Sequence, residues 1–415
     1  MKVDNDSIVN KNTLILSILF IIFLSFISIF YTPVWGDELL YHIPTAKNFN
    51  FSDFFSNNPS YNSAYTPFPY ILGKIAFNIC NSYLMLRLVN FIIFLFLSVA
   101  IFKLFSLISK SPLFFTLLLL SNPYLLRASF TYYMFNYGLL FTISSLYYIL
   151  KKENKYRNII VPFISGMAVL SQQWMLVFVI AQTVLEVVKF FCNQQKLFAL
   201  FKALFIQLFF LLPALIIFFI WSGFVPPYFN SHELKPSFEH ANSVYANVGF
   251  ICFFIVLYNY KQFLKYKLLP LVFVVPLIWI SIPYHSSQHG LETSTGVTAQ
   301  ICTQLNNQLF IPYKISMLLF ICVGILTFIL ILLKDTDDFS QLLKFIVFGL
   351  FVSFTSSIKL GASHIFIIVP FILIFFHKEI EKNNKLKIVL LVQMFLLSIV
   401  YMIYYSLFIT NNKSL

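Results

Sequence analysis

The chain has 415 residues, of which 59% are hydrophobic and only 10% are charged. A water-soluble protein of this length could not bury so much apolar surface, so the composition excludes a soluble globular protein and indicates the lipid bilayer as solvent. The formal net charge of +13 would suggest a nucleic-acid partner in a soluble protein. In a membrane protein, basic cytoplasmic loops explain it better, and we expect no nucleic acid to bind.

The first predicted span is the apolar run 14–30, which follows Lys2 and Lys11. It is long for the core of a signal peptide and no small-residue cleavage site follows it, so we interpret it as an uncleaved span. With twelve further runs, hydropathy gives about 13 spans. Several runs are shorter than the ~20 residues of a full crossing, so flanking residues complete them or some are broken or re-entrant. Three short ones are 113–126, 159–170 and 174–188.

These runs predict an all-α integral membrane protein, a polytopic bundle of about 11–13 transmembrane helices with interfacial helices in its first outer loop. Placing the N-terminus in the cytoplasm puts about 20 of the 28 basic residues on the cytoplasmic side. We treat 1–415 as one polytopic domain, with a loose division near Tyr245 between 1–245 and the C-terminal helices of 246–415. Outer loops almost without glycosylation sequons favour a bacterial inner membrane over the endoplasmic reticulum.

Two adjacent carboxylates, Asp37 and Glu38, lie in the first outer loop, 31–83. Such groups are costly near hydrocarbon and usually carry chemistry or a ligand. One of them could be a general base for an acceptor hydroxyl, or both could bind a divalent metal. The structural alternative is a solvated pair that caps a helix beginning near Leu39. Further along the loop, the Tyr/Pro-rich segment 65–70 predicts a turn into a short amphipathic helix with Pro69 in its first turn.

Cationic side chains stand at the outer ends of later spans. Arg87 and Arg127 lie at the outer ends of the second and third predicted spans, and Lys359 is a weaker candidate on the same logic. A guanidinium can bind a phosphate in a bidentate way, and the alternative is snorkelling towards lipid head groups. The amides of Gln172 and Gln173 interrupt an apolar stretch, where such groups usually tie helices together.

The order of these features resembles the GT-C glycosyltransferases, membrane enzymes that use lipid-phosphate sugars as donors. The matching elements are Asp37-Glu38, the segment 65–70, Leu86-Arg87-Leu88 and the segment 120–127, and they cover about the first 180 residues. Within that superfamily, 36–38 and 42–47 look most like the dolichyl-phosphate-glucose α-1,2-glucosyltransferases.

The resemblance implies that Asp37 is the catalytic base and that Glu38 supports it or binds the acceptor. It places the donor phosphate at Arg87, Arg127 or Lys359. It also implies substrate-binding roles for three further outer-loop residues: His42, Tyr65 and His232.

The implied reaction transfers a hexose, with inversion, from a polyprenyl- or dolichyl-phosphate sugar to a glycan or lipid-linked acceptor among membrane lipids. Many members carry a second acidic residue just after the third span, but 127–136 contains no carboxylate here. We therefore expect no cofactor, and a divalent metal is not favoured.

Two other function classes stay open. A multispan transporter or flippase of lipid-linked glycans or solutes fits the number of spans, but few midplane charges and the lack of a repeat disfavour it. An enzyme resembling O-antigen polymerases would typically use arginines in a large outer loop, and the loop 283–314 contains none.

Overall fold

The computed structural model describes residues 10–34, 37–50, 52, 61, 63, 65–151, 156–226, 238–259, 261, 278–279, 282, 297–334, 337–355 and 367–403. All regular structure within these ranges is helical. The α-helices are α1 (Lys11–Tyr31), α2 (Ile43–Asn48), α3 (Phe68–Ile79), α4 (Tyr83–Ile108), α5 (Pro112–Leu120), α6 (Pro123–Phe130), α7 (Phe135–Leu150), α8 (Arg157–Ser171), α9 (Leu176–Phe191), α10 (Leu197–Ile220), α11 (Phe238–Tyr258), α12 (Val297–Leu309), α13 (Tyr313–Leu333), α14 (Asp338–Thr355), α15 (Ile368–Phe375), α16 (His377–Lys382) and α17 (Asn384–Ile403). A π-helical turn (Glu38–His42) precedes α2, and a 3₁₀ turn (Gln173–Met175) precedes α9.

The predicted all-α, multi-span membrane fold is confirmed. Among the described residues, 8 helices are long and apolar enough to cross a membrane, and a ninth crossing arises if the bent pair α5 and α6 is one span. Two shorter apolar helices, α7 and α8, also lie in this part of the chain. The total of about 11–13 crossings stays a prediction, because it also depends on segments outside the described ranges.

For the short run 113–126 the sequence left open a full crossing or a broken or re-entrant one, and the structure shows it broken, because the chain bends by 71° between α5 and α6. Asn122 caps the second helix: its side-chain oxygen accepts from the backbone N–H groups of Tyr124 and Leu125. Pro123 takes the first helical position, where its missing N–H costs nothing. A new helix start so soon after the old one redirects the chain, and it places Arg127 in the last turn of α6.

The two runs around Gln172 are confirmed as separate helices, α8 and α9. Gln172 itself is extended, with φ −159° and ψ 114°, and its side chain is fully buried. A Cβ at Gly138 of α7 would lie 2.7 Å from Gln172 Oε1, so this glycine makes room for the amide. The amide has no hydrogen-bond partner among the described residues, so it joins the helices here by packing.

The predicted short amphipathic helix after 65–70 is confirmed as α3, with Pro69 in its first turn. Tyr70 and Gly73 lie on its buried face, whereas Ile75 and Ile79 are exposed. A helix with one apolar face open to its surroundings is typical of the membrane interface.

Contacts divide the chain into two compact units, the first drawn from 1–231 and 391–415 and the second from 232–390. In the second unit, α11 and α13 pack backbone to backbone. A Cβ at Gly249 would lie 1.8 Å from the Phe320 carbonyl oxygen, and one at Gly324 would lie 2.0 Å from that of Tyr245. Small residues permit such close approach between membrane helices. All site residues described below belong to the first unit.

Candidate active site

A buried ion pair joins Glu38, in the segment after α1, to Arg87 of α4. The Nε and Nη2 atoms of Arg87 donate to the two carboxylate oxygens of Glu38, at 2.8 and 2.7 Å. Both side chains are 0% exposed. The paired geometry is the strongest that these two groups can form, and burial of either charge alone would be very costly.

The remaining donors of Arg87 are also engaged, at the C-terminal end of α1. Nη1 donates to the carbonyls of Ile29 and Thr32, at 2.9 and 2.6 Å, and Nη2 donates to that of Pro33 at 3.1 Å. A guanidinium has five N–H groups, so together with Glu38 all five are satisfied. Arg87 therefore has no N–H left for a phosphate in this arrangement, although the sequence made it a candidate.

Glu38 also fixes a second loop. Its Oε1 atom accepts from the backbone N–H of Tyr132 at 2.8 Å, just after α6. The structural alternative of a solvated helix cap is wrong for this pair of carboxylates: Glu38 is buried, and the Asp37 side chain makes no capping bond to the turn that it precedes. The two adjacent carboxylates thus have different surroundings, because Asp37 is exposed.

Asp37 contacts a tyrosine from the loop after the broken span, and the same tyrosine contacts an arginine of α6. The Tyr133 hydroxyl donates to Asp37 Oδ2 at 3.0 Å. The Arg127 guanidinium lies over the ring of the same tyrosine, with Cζ 4.2 Å from the ring centroid. Arg127 Nη1 also donates to the Tyr401 hydroxyl at 3.4 Å. A carboxylate and a cation thus contact two parts of one aromatic ring.

Asn90 of α4 holds this loop in place. Its Nδ2 donates to the carbonyls of Thr131 and Tyr133, at 2.8 and 2.7 Å, and its Oδ1 accepts from the Tyr137 hydroxyl at 2.8 Å. The sequence analysis missed Asn90. The available signal was a polar residue inside an apolar run, three positions after Arg87 and so on the same helix face.

His42 and Tyr65, from the segment between α1 and α4, complete the cluster. The centroid of the His42 ring lies 5.5 Å from that of Tyr65 and 5.0 Å from that of Tyr133. His42 Nδ1 is 2.7 Å from the Tyr70 hydroxyl, which also bonds to Ser63. These contacts gather His42 and Tyr65 around Tyr133, the residue that also contacts Asp37.

Burial lowers the pKa of His42 to about 4, while the negative charge of Asp37 opposes that shift and Arg127 adds to it. Burial also raises the pKa of Tyr65 above its usual value, with a further rise from Asp37 and an opposite effect of Arg127. His42 is therefore neutral near pH 7. Because both charged groups act on both rings, Asp37, His42, Tyr65 and Arg127 form one electrostatic cluster.

Two predicted site residues, His232 and Lys359, lie outside the described residues, so their roles stay predictions. Tyr132 and Tyr133 were missed by the sequence analysis. Their signal was an aromatic pair directly after the broken span, where a carboxylate was sought. Over the described ranges, no three His, Cys, Asp or Glu side chains come together in a way that could hold a metal ion. The absence of a metal requirement stays a prediction.

No known protein-family model matches the chain, and no curated protein matches it. Among solved structures, it is similar to the crystal structure of ArnT from Cupriavidus metallidurans bound to undecaprenyl phosphate. The similarity covers 96% of this chain and 78% of that one, at 12% sequence identity and a TM-score of 0.45. At that level of similarity, function has to be argued from the site.

Proposed function

We propose that the chain is a membrane glycosyltransferase of the GT-C type. It moves a hexose from a polyprenyl-phosphate sugar to a glycan or lipid-linked acceptor, with inversion. One observation carries this proposal: the exposed carboxylate of Asp37 and the guanidinium of Arg127 contact the same ring, that of Tyr133. A base and a cation that contact one tyrosine suit an acceptor hydroxyl and a phosphate leaving group.

In the proposed reaction, Asp37 takes the proton of the acceptor hydroxyl. The acceptor oxygen forms a bond to the anomeric carbon while the bond from that carbon to the phosphate oxygen breaks. The electron pair of that bond leaves with the lipid phosphate. Because the acceptor attacks opposite the leaving group, the anomeric centre inverts. An exposed carboxylate suits this role, because a general base must reach the proton that it removes.

Arg127 is the described residue that we assign to the donor phosphate. It is half-buried at the end of α6, and its positive charge would stabilise the leaving phosphate. Lys359 stays a second candidate from the sequence. Arg87 and Glu38 are better assigned to holding the loop than to touching substrate, because their bonds to each other and to the backbone engage all five Arg87 donors.

His42 and Tyr65 would line the site beside the reacting groups. A neutral imidazole and a phenol can donate and accept hydrogen bonds from sugar hydroxyls without adding a charge beside the base. His232 is a further substrate-binding candidate from the sequence. The orientation that the basic residues predict would put this site on the non-cytoplasmic face, with a bacterial inner membrane favoured over the endoplasmic reticulum.

The test is transfer of labelled sugar from a panel of polyprenyl-phosphate hexoses by purified full-length protein in lipid nanodiscs. We expect Asp37→Asn to lower the rate on the order of 10²–10⁴-fold, the usual contribution of a general base. Asp338→Asn is the matched control, because that aspartate is exposed in the first turn of α14, in the second unit, and should leave the rate unchanged.

Full activity of a folded Asp37→Asn protein would refute the assignment of the base. If the wild type transfers no sugar from any donor but moves lipid or solute across proteoliposomes, the protein is a transporter and the proposed function is wrong.

A further inference from the structure

We infer that Tyr133 is a positioning residue that keeps the base Asp37 and the phosphate-binding cation Arg127 from pairing with each other. This inference rests on the proposed function, since it assumes roles for both charged residues. Tyr133 undergoes no chemical change in the proposed reaction, and the sequence did not single it out.

Tyr133 contacts the two charged residues through different parts of its side chain. One part of Tyr133, its hydroxyl, donates to Asp37 Oδ2 at 3.0 Å. Another part, its face, lies under the Arg127 guanidinium, with Cζ 4.2 Å from the centroid. The tyrosine therefore contacts both charges at once and gives each a favourable partner: a hydrogen-bond donor for the carboxylate and a π face for the cation.

Neighbouring groups hold Tyr133 in place. Asn90 Nδ2 donates to the Tyr133 carbonyl at 2.7 Å, and the preceding backbone N–H, that of Tyr132, is bonded to Glu38 at 2.8 Å. The ring centroid also lies 5.9 Å from that of Phe135, in a stacked arrangement. With its backbone bonded on both sides and its ring stacked on Phe135, Tyr133 is held where it contacts both charged groups, so it can act as a spacer between them.

Without the ring, the two charged side chains would be able to pair with each other. Opposite charges near a protein surface attract each other, and Arg127 has a long side chain that can adopt other rotamers. A direct bond between Arg127 and Asp37 would weaken the carboxylate as a base. It would also occupy the donors that a phosphate needs. The phenol gives each group a favourable contact that does not cancel its charge.

The spacer role makes a prediction that a general loss of structure does not. Removal of the ring by Tyr133→Ala should weaken phosphate binding, because Arg127 pairs with Asp37. Removal of the Asp37 charge in the same chain, as Tyr133→Ala with Asp37→Asn, should restore binding, because the competing anion has gone. Tyr133→Phe retains the ring and should bind phosphate like the wild type while its kcat falls, because the carboxylate loses an orienting bond.

The measurement is binding of undecaprenyl phosphate to the purified full-length proteins in nanodiscs, together with kcat and KM for the sugar donor. We expect Tyr133→Ala to bind about tenfold more weakly than the wild type, within the range of coupling between residues in contact. The double variant should bind like Asp37→Asn alone. Tyr147→Ala is the matched control, because Tyr147 also lies under a cation, Lys151 at 5.7 Å, but is not one of the site residues.

Equal binding by Tyr133→Ala and the wild type would overturn the inference. So would weak binding that the loss of the Asp37 charge does not restore. If Tyr133→Ala does not fold, Tyr133→Ser takes its place with the same expectations, since serine also removes the ring and with it the contacts to both charged groups. Failure of the wild type to bind undecaprenyl phosphate would instead count against the proposed function.

Discussion

The buried pair of Glu38 and Arg87 should be a main source of stability for the segment between α1 and α4. Replacement of Arg87 by Met would leave the Glu38 carboxylate buried with only the Tyr132 backbone N–H as partner. The carbonyls of Ile29 and Thr32 would also lose their donor. An uncompensated charge at a site that is 0% exposed is the dominant cost, and the lost carbonyl bonds add to it.

Removal of one partner of a buried ion pair typically costs about 3–5 kcal/mol. We therefore expect Arg87→Met and Glu38→Met each to lower the free energy of unfolding by about that amount. The double variant should lose much less than the sum of the two, because no unpaired charge remains. A coupling of at least about 3 kcal/mol between the two positions, the upper end of the range for residues in contact, is the expected result of the cycle. Arg87→Lys should be intermediate, because an ammonium retains the charge but not the forked geometry.

The assay is reversible unfolding of the purified protein in mixed micelles with a denaturing detergent. Lys103→Met is the matched control: this lysine lies on the same helix, α4, but is exposed, and its replacement should change stability little. Strictly additive effects of the two replacements, or losses below about 1 kcal/mol for each single variant, would contradict the inference that this pair is stabilising where it lies.

Two further predictions concern stability near the site. Because burial holds the pKa of His42 at about 4, below its ordinary 6.5, the unfolded chain takes up a proton between these pH values and the folded chain does not. Stability should therefore fall as the pH drops from 6.5 to 4, by up to about 3 kcal/mol from this group, and unfolding measured at pH 4.5 and 7.5 should show a smaller loss for His42→Gln than for the wild type. Gly73→Ala should cost about 1–3 kcal/mol by overpacking, since its Cβ would lie 1.9 Å from the Tyr132 hydroxyl oxygen. Thermal unfolding beside Gly223→Ala, where the nearest atom lies 4.0 Å away, checks this, and equal losses for both variants would contradict it.

The general architecture could be predicted from the sequence because hydrophobic runs and helix signals are local. The span 14–30 and the amphipathic helix α3 both follow from residues near them in the chain. The bend at Asn122 was harder to predict, since leucines on both sides of it make the apolar run 113–126 look continuous. Its signal, a capping residue followed by proline, was present but weaker than the hydropathy around it.

The roles of the polar residues were less predictable, because they depend on partners far away in the chain. Arg87 and Arg127 look alike in sequence, each at the end of a predicted span. In the structure, Arg87 is fully buried against Glu38, 49 positions away, whereas Arg127 is half-buried over an aromatic ring. Periodicity reports which face of a helix is apolar, but not which carbonyls or carboxylates meet a particular guanidinium.

The two adjacent carboxylates have different surroundings, and in our assignment different roles, for a physical reason. Consecutive residues at the start of a helical turn point in different directions, so when Glu38 is buried against Arg87, Asp37 is directed outwards. The bond from Tyr132 N–H to Glu38 then positions the next residue, Tyr133, whose hydroxyl reaches Asp37. The buried carboxylate thus orients the exposed one through two separate connections, the shared backbone and the tyrosine. Loss of Glu38 should therefore impair chemistry at Asp37 even though, in our assignment, Glu38 never touches the substrate.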